Sequence, residues 1–317
     1  IIYLVRSGKI DFTLVPLSFS YPLNWMACFL ILATQALLTV FRWKILLEIK
    51  HEGKLPLFPM IKLTWIGMFF SSILPGAVTG DLIKVVYARD LSPKINKTYL
   101  LTSALLDRLF GLLGLLFGLG FFSLLNYQEL TSISKELTRL IHTNFLVFFL
   151  MILGFWGLML PKKIQQIIRG LALKVPGLSR SILKTLDQIW LVGQNKKVLF
   201  KCFLLSVFTQ SLMVLAFYTL TSPFYEQALP LKYAFTFIPV GMIAVAIPIA
   251  PAGLGIGHAI FNWLFSFFNI SKGASLFNLY FIAIMSLNMV GSLFYIMSGK
   301  KHGLKDVEDF QNEEAKI

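Results

Sequence analysis

Residues 69–81 read FFSSILPGAVTGD, an apolar run that meets a proline, two glycines and then a carboxylate. Pro75 has no N–H to donate and cannot continue a helix, and Gly76 and Gly80 tolerate backbone angles that other residues avoid. A similar interruption, VAIPIAPAGLGIGH, occupies residues 245–258 and contains two prolines and three glycines. Two apolar segments interrupted in this way, at matching places in two halves of a chain, are typical of a substrate site between inverted repeats.

The composition is that of a membrane protein. The chain has 317 residues, of which 56% are hydrophobic and 14% are charged, and its mean hydropathy is +0.74. Several apolar runs approach the length of about 20 residues that a helix needs to cross a bilayer. The sequence therefore predicts an all-α polytopic membrane protein.

The net charge of +14 comes from Lys and Arg residues that lie mainly in the loops between the apolar runs. This distribution is typical of topology signals and of contacts with anionic lipid, so we expect no nucleic-acid partner. Residues 41–44, FRWK, end the first complete span and are predicted to mark the cytoplasmic interface. Cys28 and Cys202 lie in apolar runs and are interpreted as packing residues.

The basic loops also predict the topology. The connection 161–197 is the most basic one and is placed in the cytoplasm. Basic loops flank both ends of the interrupted segment 57–91, so this segment is predicted to enter and leave the membrane from the cytoplasm as a re-entrant hairpin. The second interrupted segment, 233–268, is predicted to open to the opposite side. The fold prediction is therefore one of inverted repeats with two opposed re-entrant helical hairpins.

A single transmembrane domain is predicted for residues 1–317. Its parts are a first half of about 1–160, a basic linker 161–197, a second half 198–299, and a polar cytoplasmic tail 300–317. The opening residues, IIYLV, are interpreted as the end of a transmembrane helix that begins upstream. Apolar residues recur at helical spacing in the linker, which predicts two short amphipathic helices that either lie on the inner leaflet or pack under the bundle.

Charged side chains at membrane depth are candidates for the functional site. Asp81 follows the first break, and Asp107 and Arg108 interrupt an apolar span. Such charges cost roughly 2.5–3.5 kcal/mol each on insertion scales and need a partner or a water-filled cavity. One arrangement pairs Arg108 with Asp81 or with the broken backbone, and Asp107 with Lys84 or Arg89. The alternatives are a buried structural ion pair and a site in which Arg108 contacts an anionic headgroup.

Polar side chains in the second half complete this set. His258 follows the second break and is either a hydrogen-bonded packing residue or a proton carrier, and Asn288 takes the place in the last span that Arg108 has in the first half. Gln35, Gln210 and Asn262 are predicted to link helices by hydrogen bonds. The sequence contains no zinc spacing, phosphate loop or nucleophile elbow. We therefore expect a protein that is not an enzyme and needs no cofactor.

Three motifs in this order resemble a known family: SSILPGAVTGDLIKVVYARD at 71–90, LLDRLFGLLGLL at 105–116 and AIPIAPAGLGIGHAIF at 246–261. They are similar to the flippase-like transmembrane domain of lysylphosphatidylglycerol synthases, found in multiple peptide resistance factors. The resemblance covers nearly the whole chain. It implies movement of phospholipid, notably aminoacylated phosphatidylglycerol, between leaflets. It also implies a stand-alone member that lacks the synthase domain and does not make that lipid.

The site residues implied by the resemblance fall in these motifs. They are Pro75, Gly76, Gly80 and Asp81 in the first motif, Asp107 and Arg108 in the second, and Pro251, Gly253 and Gly255 in the third. The chain departs from the family at three further candidate positions, because His258 stands where a glutamate is frequent, and Lys84 and Asn288 stand where arginine is common. All of these residues are predicted to bind the substrate.

Three functions stay open at this point. The leading one is a flippase or transporter that moves a charged-headgroup phospholipid, or a related lipid, between the leaflets of a bacterial cytoplasmic membrane. The second is a membrane enzyme or accessory protein that acts on polyprenyl-phosphate or glycolipid substrates. The third is a non-transporting protein that docks a separate synthase through the basic linker. The expected partners are an anionic or zwitterionic lipid and the membrane, with a second copy of the chain or a synthase as the protein partner.

Overall fold

The computed structural model of the chain is helical in the part that it describes. The described residues are 13–74, 79–172, 180–246, 253, 255–299, 301–303 and 306. The helices are α1 (Leu14–Ser18), α2 (Pro22–Leu47), α3 (Leu57–Ile73), α4 (Thr79–Leu91), α5 (Lys97–Leu125), α6 (Tyr127–Ile133), α7 (Lys135–Leu158), α8 (Lys162–Ala172), α9 (Arg180–Gln194), α10 (Lys196–Thr221), α11 (Leu231–Ala246), α12 (Ile256–Ser266) and α13 (Gly273–Ile296). A short 3₁₀ turn, Ser222–Phe224, follows α10.

Five of the described helices, α2, α5, α7, α10 and α13, are long and apolar enough to cross a membrane. Helices α3 and α11 are apolar too but have only 17 and 16 residues. At 1.5 Å per residue they measure about 26 and 24 Å, less than the ~30 Å hydrocarbon core of a bilayer. The predicted class, an all-α polytopic membrane protein, is confirmed.

Both predicted interruptions of helical structure occur. Leu74, directly after α3, has an extended backbone (φ −83°, ψ 143°), and the next helix begins only at Thr79. Between α11 and α12, Gly253 and Gly255 have φ angles of +73° and +89°, in the region that side chains disfavour and glycine enters freely. Three residues predicted to cause the breaks lie outside the described part of the chain, namely Pro75, Gly76 and Pro251.

Helices α3 and α4 pack side by side as a hairpin. A Cβ atom on Gly80 would lie 2.2 Å from the backbone oxygen of Gly67, so the two backbones are in direct contact and leave no room for a side chain. At the end of the hairpin opposite the break, Nδ1 of His51, which precedes α3, lies 2.7 Å from the hydroxyl of Ser92, which follows α4. The segment before α3 and the segment after α4 therefore lie on the same face of the protein.

Helices α11 and α12 form a second hairpin. Tyr233, near the start of α11, stacks on Phe268, which follows α12, with ring centroids 5.8 Å apart. Glu129 accepts hydrogen bonds from Lys232 Nζ and from the Tyr233 hydroxyl, each at 2.5 Å. These donors stabilise the charged carboxylate and so lower the pKa of Glu129. Helix α6, which precedes α7, and the start of α11 are thus joined at one face of the protein.

The centre of the protein is formed by α2, α5 and α10. Helix α2 packs along α10, and α10 packs closely on α5. A Cβ atom on Gly114 of α5 would lie 2.5 Å from the backbone of Ser206 in α10. The two hairpins pack crosswise on long helices of the opposite half, because α3 lies against α13 and α11 lies against α5.

The basic linker forms two helices with different surroundings. Trp190 and Val192 of α9 are buried, and the backbone of Gly193 lies against the carbonyl group of Leu158 at the end of α7. Packing under the bundle, one of the two alternatives predicted for the linker helices, is thus confirmed for α9.

Helix α8 has its apolar face turned outward. Its polar side chains, among them Gln166 and Arg169, border a small cavity shared with Asp187 of α9. The opposite side of the helix is apolar, and there Ile167 and Leu171 are 61% and 59% exposed. A helix with a polar side facing the protein and an apolar side facing outward fits the surface of a bilayer, so we expect α8 to lie on the membrane.

We expect Gly114→Ala to destabilise the protein. Its methyl group would lie 2.5–2.8 Å from three atoms of Ser206, and over-packing an interior typically costs about 1–3 kcal/mol. Gly118→Ala is the matched control, because nothing lies within 4 Å of its Cβ position and alanine favours helix. Thermal unfolding in detergent should show a lower midpoint for the first variant only. Equal midpoints would contradict the close contact between α5 and α10.

A second prediction concerns α8. A fluorophore on Ile167→Cys should be quenched by lipid-attached quenchers in vesicles much more strongly than one on Gln166→Cys, whose side chain faces the cavity shared with α9. The natural Cys28 and Cys202 are buried and should stay unlabelled. Similar quenching at both positions would show that α8 does not present its apolar side to lipid.

Candidate functional site

A buried ion pair joins the three central helices. Arg42 Nε donates to Asp107 Oδ1 at 2.7 Å, and the two side chains are only 5% and 6% exposed. Arg42 Nη1 also donates to the hydroxyl of Ser206 at 3.0 Å. The predicted partners of Asp107, Lys84 or Arg89, are wrong because α2 continues far enough to place Arg42 beside it.

Two of the residues 41–44 face the interior of the protein. Arg42 and Trp43 are buried, and Trp43 Nε1 donates to the hydroxyl of Ser103 at 3.1 Å. The signal that sequence reasoning missed is the apolar run 45–47, which follows the basic residues and extends the helix by about two turns beyond the predicted end of the span.

A second charged cluster forms around Asp81. Arg108 Nε donates to Asp81 Oδ2, which confirms the predicted pairing of these residues. Lys84 Nζ lies 3.6 Å from Asp81 Oδ1 and 4.1 Å from the ring centroid of Trp43, where the ring also attracts the cation. The Lys84 side chain is 7% exposed but that of Arg108 is 40% exposed. Arg108 is thus the cation of this cluster that a ligand can reach.

Among the residues that the structure describes, the two clusters together contain one more cation than carboxylates. Their described members are three cations and two carboxylates, namely Arg42, Lys84, Arg108, Asp81 and Asp107. Arg108 lies only about 5 Å along the helix axis from the midpoint of α5. An excess charge at this depth is unfavourable in a membrane, and an anionic group would offset it.

Arg108 borders a central cavity of about 570 Å³. Six helices contribute to its wall: α2, α3, α5, α10, α11 and α13. The lining is mainly Leu, Met and Ile, and its other polar side chains include Gln35, Gln210 and Asn288. An apolar cavity of a few hundred cubic ångströms with a few convergent polar groups is typical of a small-molecule site.

Several polar groups on this wall have hydrogen-bonding capacity left over. Asn288 Nδ2 donates to the hydroxyl of Ser72 at 2.8 Å, whereas its buried Oδ1 accepts no hydrogen bond from the described residues. The side-chain amides of Gln35 and Gln210 form no hydrogen bond within the described part of the chain. The prediction that they link helices is wrong, and they face the cavity instead. A buried polar group without a partner is rare and marks a place for a ligand or water.

His258 does not line this cavity. Its side chain is 2% exposed, its Nδ1 accepts from the N–H of Gly255 at 3.4 Å, and its Nε2 lies 3.3 Å from Asn278 Oδ1. The first bond joins the third residue of α12 to the residue before the helix, as a glutamate does in a capping box. Of the two predicted roles of His258, the structure favours hydrogen-bonded packing.

The remaining predicted site residues divide by position. Arg108 and Asn288 lie on the cavity wall, and Asp81, Lys84 and Asp107 lie behind it in the charged clusters. The described glycines among the predicted site residues have structural positions. Gly80 lies in the close contact between α3 and α4, and Gly253 and Gly255 have left-handed backbone angles.

The model of one protein family, described as the lysylphosphatidylglycerol synthase TM region, matches residues 4–290. The match covers most of the chain and agrees with the family that the three motifs resemble. No curated protein and no solved structure matches the chain.

We expect Arg42→Met to destabilise the protein strongly. It leaves the Asp107 carboxylate buried without its cation, which typically costs about 3–5 kcal/mol. The double variant Arg42→Met/Asp107→Leu removes both charges and should recover most of this loss. Lys94→Met, which breaks an ion pair with Glu52 in which both side chains are 80% exposed, should cost at most about 1 kcal/mol. Thermal unfolding of the purified protein measures all three, and a stable Arg42→Met protein would contradict the structural role.

Proposed function

Because the chain belongs to the lysylphosphatidylglycerol synthase transmembrane family, an integral membrane family related to lipid handling, we propose that it transports an anionic phospholipid between leaflets. The observation that carries this proposal is the net positive charge of the two clusters, which present Arg108 to an apolar cavity near the middle of the spanning helices. The headgroup enters this cavity while the acyl chains stay in apolar surroundings.

In this proposal the two hairpins are re-entrant and belong to inverted repeats. The ends of the first hairpin meet at His51 and Ser92, and the ends of the second meet at Tyr233 and Phe268. If the first pair lies in the cytoplasm, as the basic loops around it indicate, the second pair lies outside. The crosswise packing of α3 on α13 and of α11 on α5 supports a twofold relation between the halves.

The headgroup is bound by complementary polar groups. The guanidinium group of Arg108 offers planar N–H donors that match a phosphate or carboxylate. Asn288 Oδ1, which accepts no hydrogen bond from the described residues, can accept one from a hydroxyl or amino group of the headgroup. The amides of Gln35 and Gln210 can donate or accept. This combination suits a headgroup that carries a negative phosphate together with a hydrogen-bond donor.

Asp81 has a separate role in the proposed cycle. Its carboxylate pairs with Arg108, so it competes with the lipid for the same cation. Transport requires binding that is strong enough to admit the substrate and weak enough to release it. The cavity is exposed alternately to the two leaflets, as in other transporters with a site between repeats. The membrane in which this takes place is proposed to be a bacterial cytoplasmic membrane.

We expect Arg108→Ala to slow transport. Vesicles that contain the protein and a fluorescent phosphatidylglycerol probe report translocation through protection of the probe from an external quencher. Loss of a hydrogen bond to a charged group is worth about 1.5–3 kcal/mol, which corresponds to a rate about 10- to 100-fold lower. Lys94→Ala is the matched control, since it removes a cation whose side chain is 80% exposed and should leave the rate unchanged.

Asp81→Asn should also slow transport, but for the opposite reason. Without the competing carboxylate, the headgroup stays bound to Arg108, so the probe should bind more tightly while its translocation falls. If both Arg108→Ala and Asp81→Asn move the probe at the normal rate, the site assignment is wrong. Chemical turnover of a polyprenyl-phosphate or glycolipid by the purified protein, without movement between leaflets, would favour an enzyme instead.

A further inference from the structure

An apolar groove lies between α5 and α7, next to the central cavity. It has a volume of about 380 Å³, and the described residues that line it are apolar side chains and one glycine. They lie at 106–113 in α5 and at 147–158 in α7, and include Leu109, Phe110, Leu150, Gly154 and Phe155. The rings of Phe110 and Phe155 meet edge to face at 5.9 Å and close it on the inner side.

The groove is adjacent to the proposed headgroup site. Leu109 borders both the groove and the central cavity, and it directly follows Arg108 in α5. A molecule whose charged end is bound by Arg108 can therefore extend an apolar part past Leu109 into the groove. The lining has no polar side chain that could bind a second headgroup there.

The length and exposure of the groove match a lipid chain. From Val147 to Leu158 it follows α7 for about 16 Å at 1.5 Å per residue, close to half of the ~30 Å hydrocarbon core, which is the depth of one leaflet. Helix α7 is also the least buried of the candidate spans, with 11% of its apolar window buried against 28–50% in the others. The groove therefore opens toward the bilayer over the length that an acyl chain occupies.

We propose that the groove between α5 and α7 binds one acyl chain of the same anionic lipid whose headgroup contacts Arg108. This inference rests on the proposed function and adds a second subsite to it. The headgroup subsite recognises the charge of the lipid. The groove adds van der Waals contacts with the acyl chain, which are weak one by one and large in sum. The substrate class is then an anionic glycerophospholipid with a chain long enough to fill one leaflet.

The test uses phosphatidylcholine vesicles that contain the protein and a trace of phosphatidylglycerol with a photoreactive group in one acyl chain. After irradiation, mass spectrometry locates the label on the protein. We expect label in residues 106–113 and 147–158, and several-fold more of it than with a phosphatidylcholine probe that carries the same chain. Arg108→Ala should remove this preference for the anionic probe.

Gly154→Trp fills the groove, and nothing lies within 4 Å of its Cβ position to obstruct the new side chain. It should lower the groove label several-fold. Gly118→Trp is the matched control, because its Cβ position is equally open and it does not line the groove. Leu150→Trp, at a groove position that is 56% exposed, serves as a second variant if the first does not fold.

Translocation measured on the same vesicles separates this inference from the proposed function. Groove label that depends on Arg108, without translocation, supports the acyl-chain subsite and overturns the transport proposal. Translocation with equal groove label from both probes, or with label unchanged in the folded Trp variants, overturns the subsite and leaves transport in place. Equal label from both probes would mean ordinary bilayer lipid only.

Discussion

The arrangement of the central helices depends on two buried charges, Arg42 and Asp107, because neither can stay buried without the other. These side chains, with the hydroxyl of Ser206, connect α2, α5 and α10 in the interior of the protein. The backbones of α5 and α10 approach closely at Gly114 on the same side of α5. Charge pairing and close packing therefore fix the same three helices, and the hairpins and the cavity are arranged around them.

Asp107 and Arg108 illustrate how adjacent residues on one helix take different tasks. Side chains of neighbouring helical residues point about 100° apart, so Asp107 reaches Arg42 in the core and Arg108 reaches Asp81 and the cavity. The first pair is buried and holds helices together, whereas Arg108 is 40% exposed. The structural ion pair of this charged motif thus involves Asp107, and the proposed headgroup site uses its neighbour Arg108.

Sequence reasoning predicted the helical membrane class, the two interruptions and the pairing of Arg108 with Asp81, because proline, glycine and intramembrane charge leave strong local signals. It failed for Arg42, since an arginine among aromatic residues at the end of an apolar run looks the same whether it faces headgroups or a buried aspartate. Gln35 and Gln210 were misassigned for a related reason. Whether a polar residue in an apolar helix bonds a neighbour or borders a cavity depends on tertiary packing, which periodicity does not contain.

The contact at Gly114 also limits how the two halves can move. Where two backbones touch, a helix cannot slide past its neighbour without a clash, so relative motion there reduces to rotation about the contact point. A small rotation at such a pivot displaces the distant helix ends far more than the centre. The Glu129–Lys232 ion pair joins the two halves of the chain at one face, whereas His51 and Ser92 both belong to the first half. In the proposed transport cycle, the ion pair is therefore the contact that has to break before such a rotation can open that face.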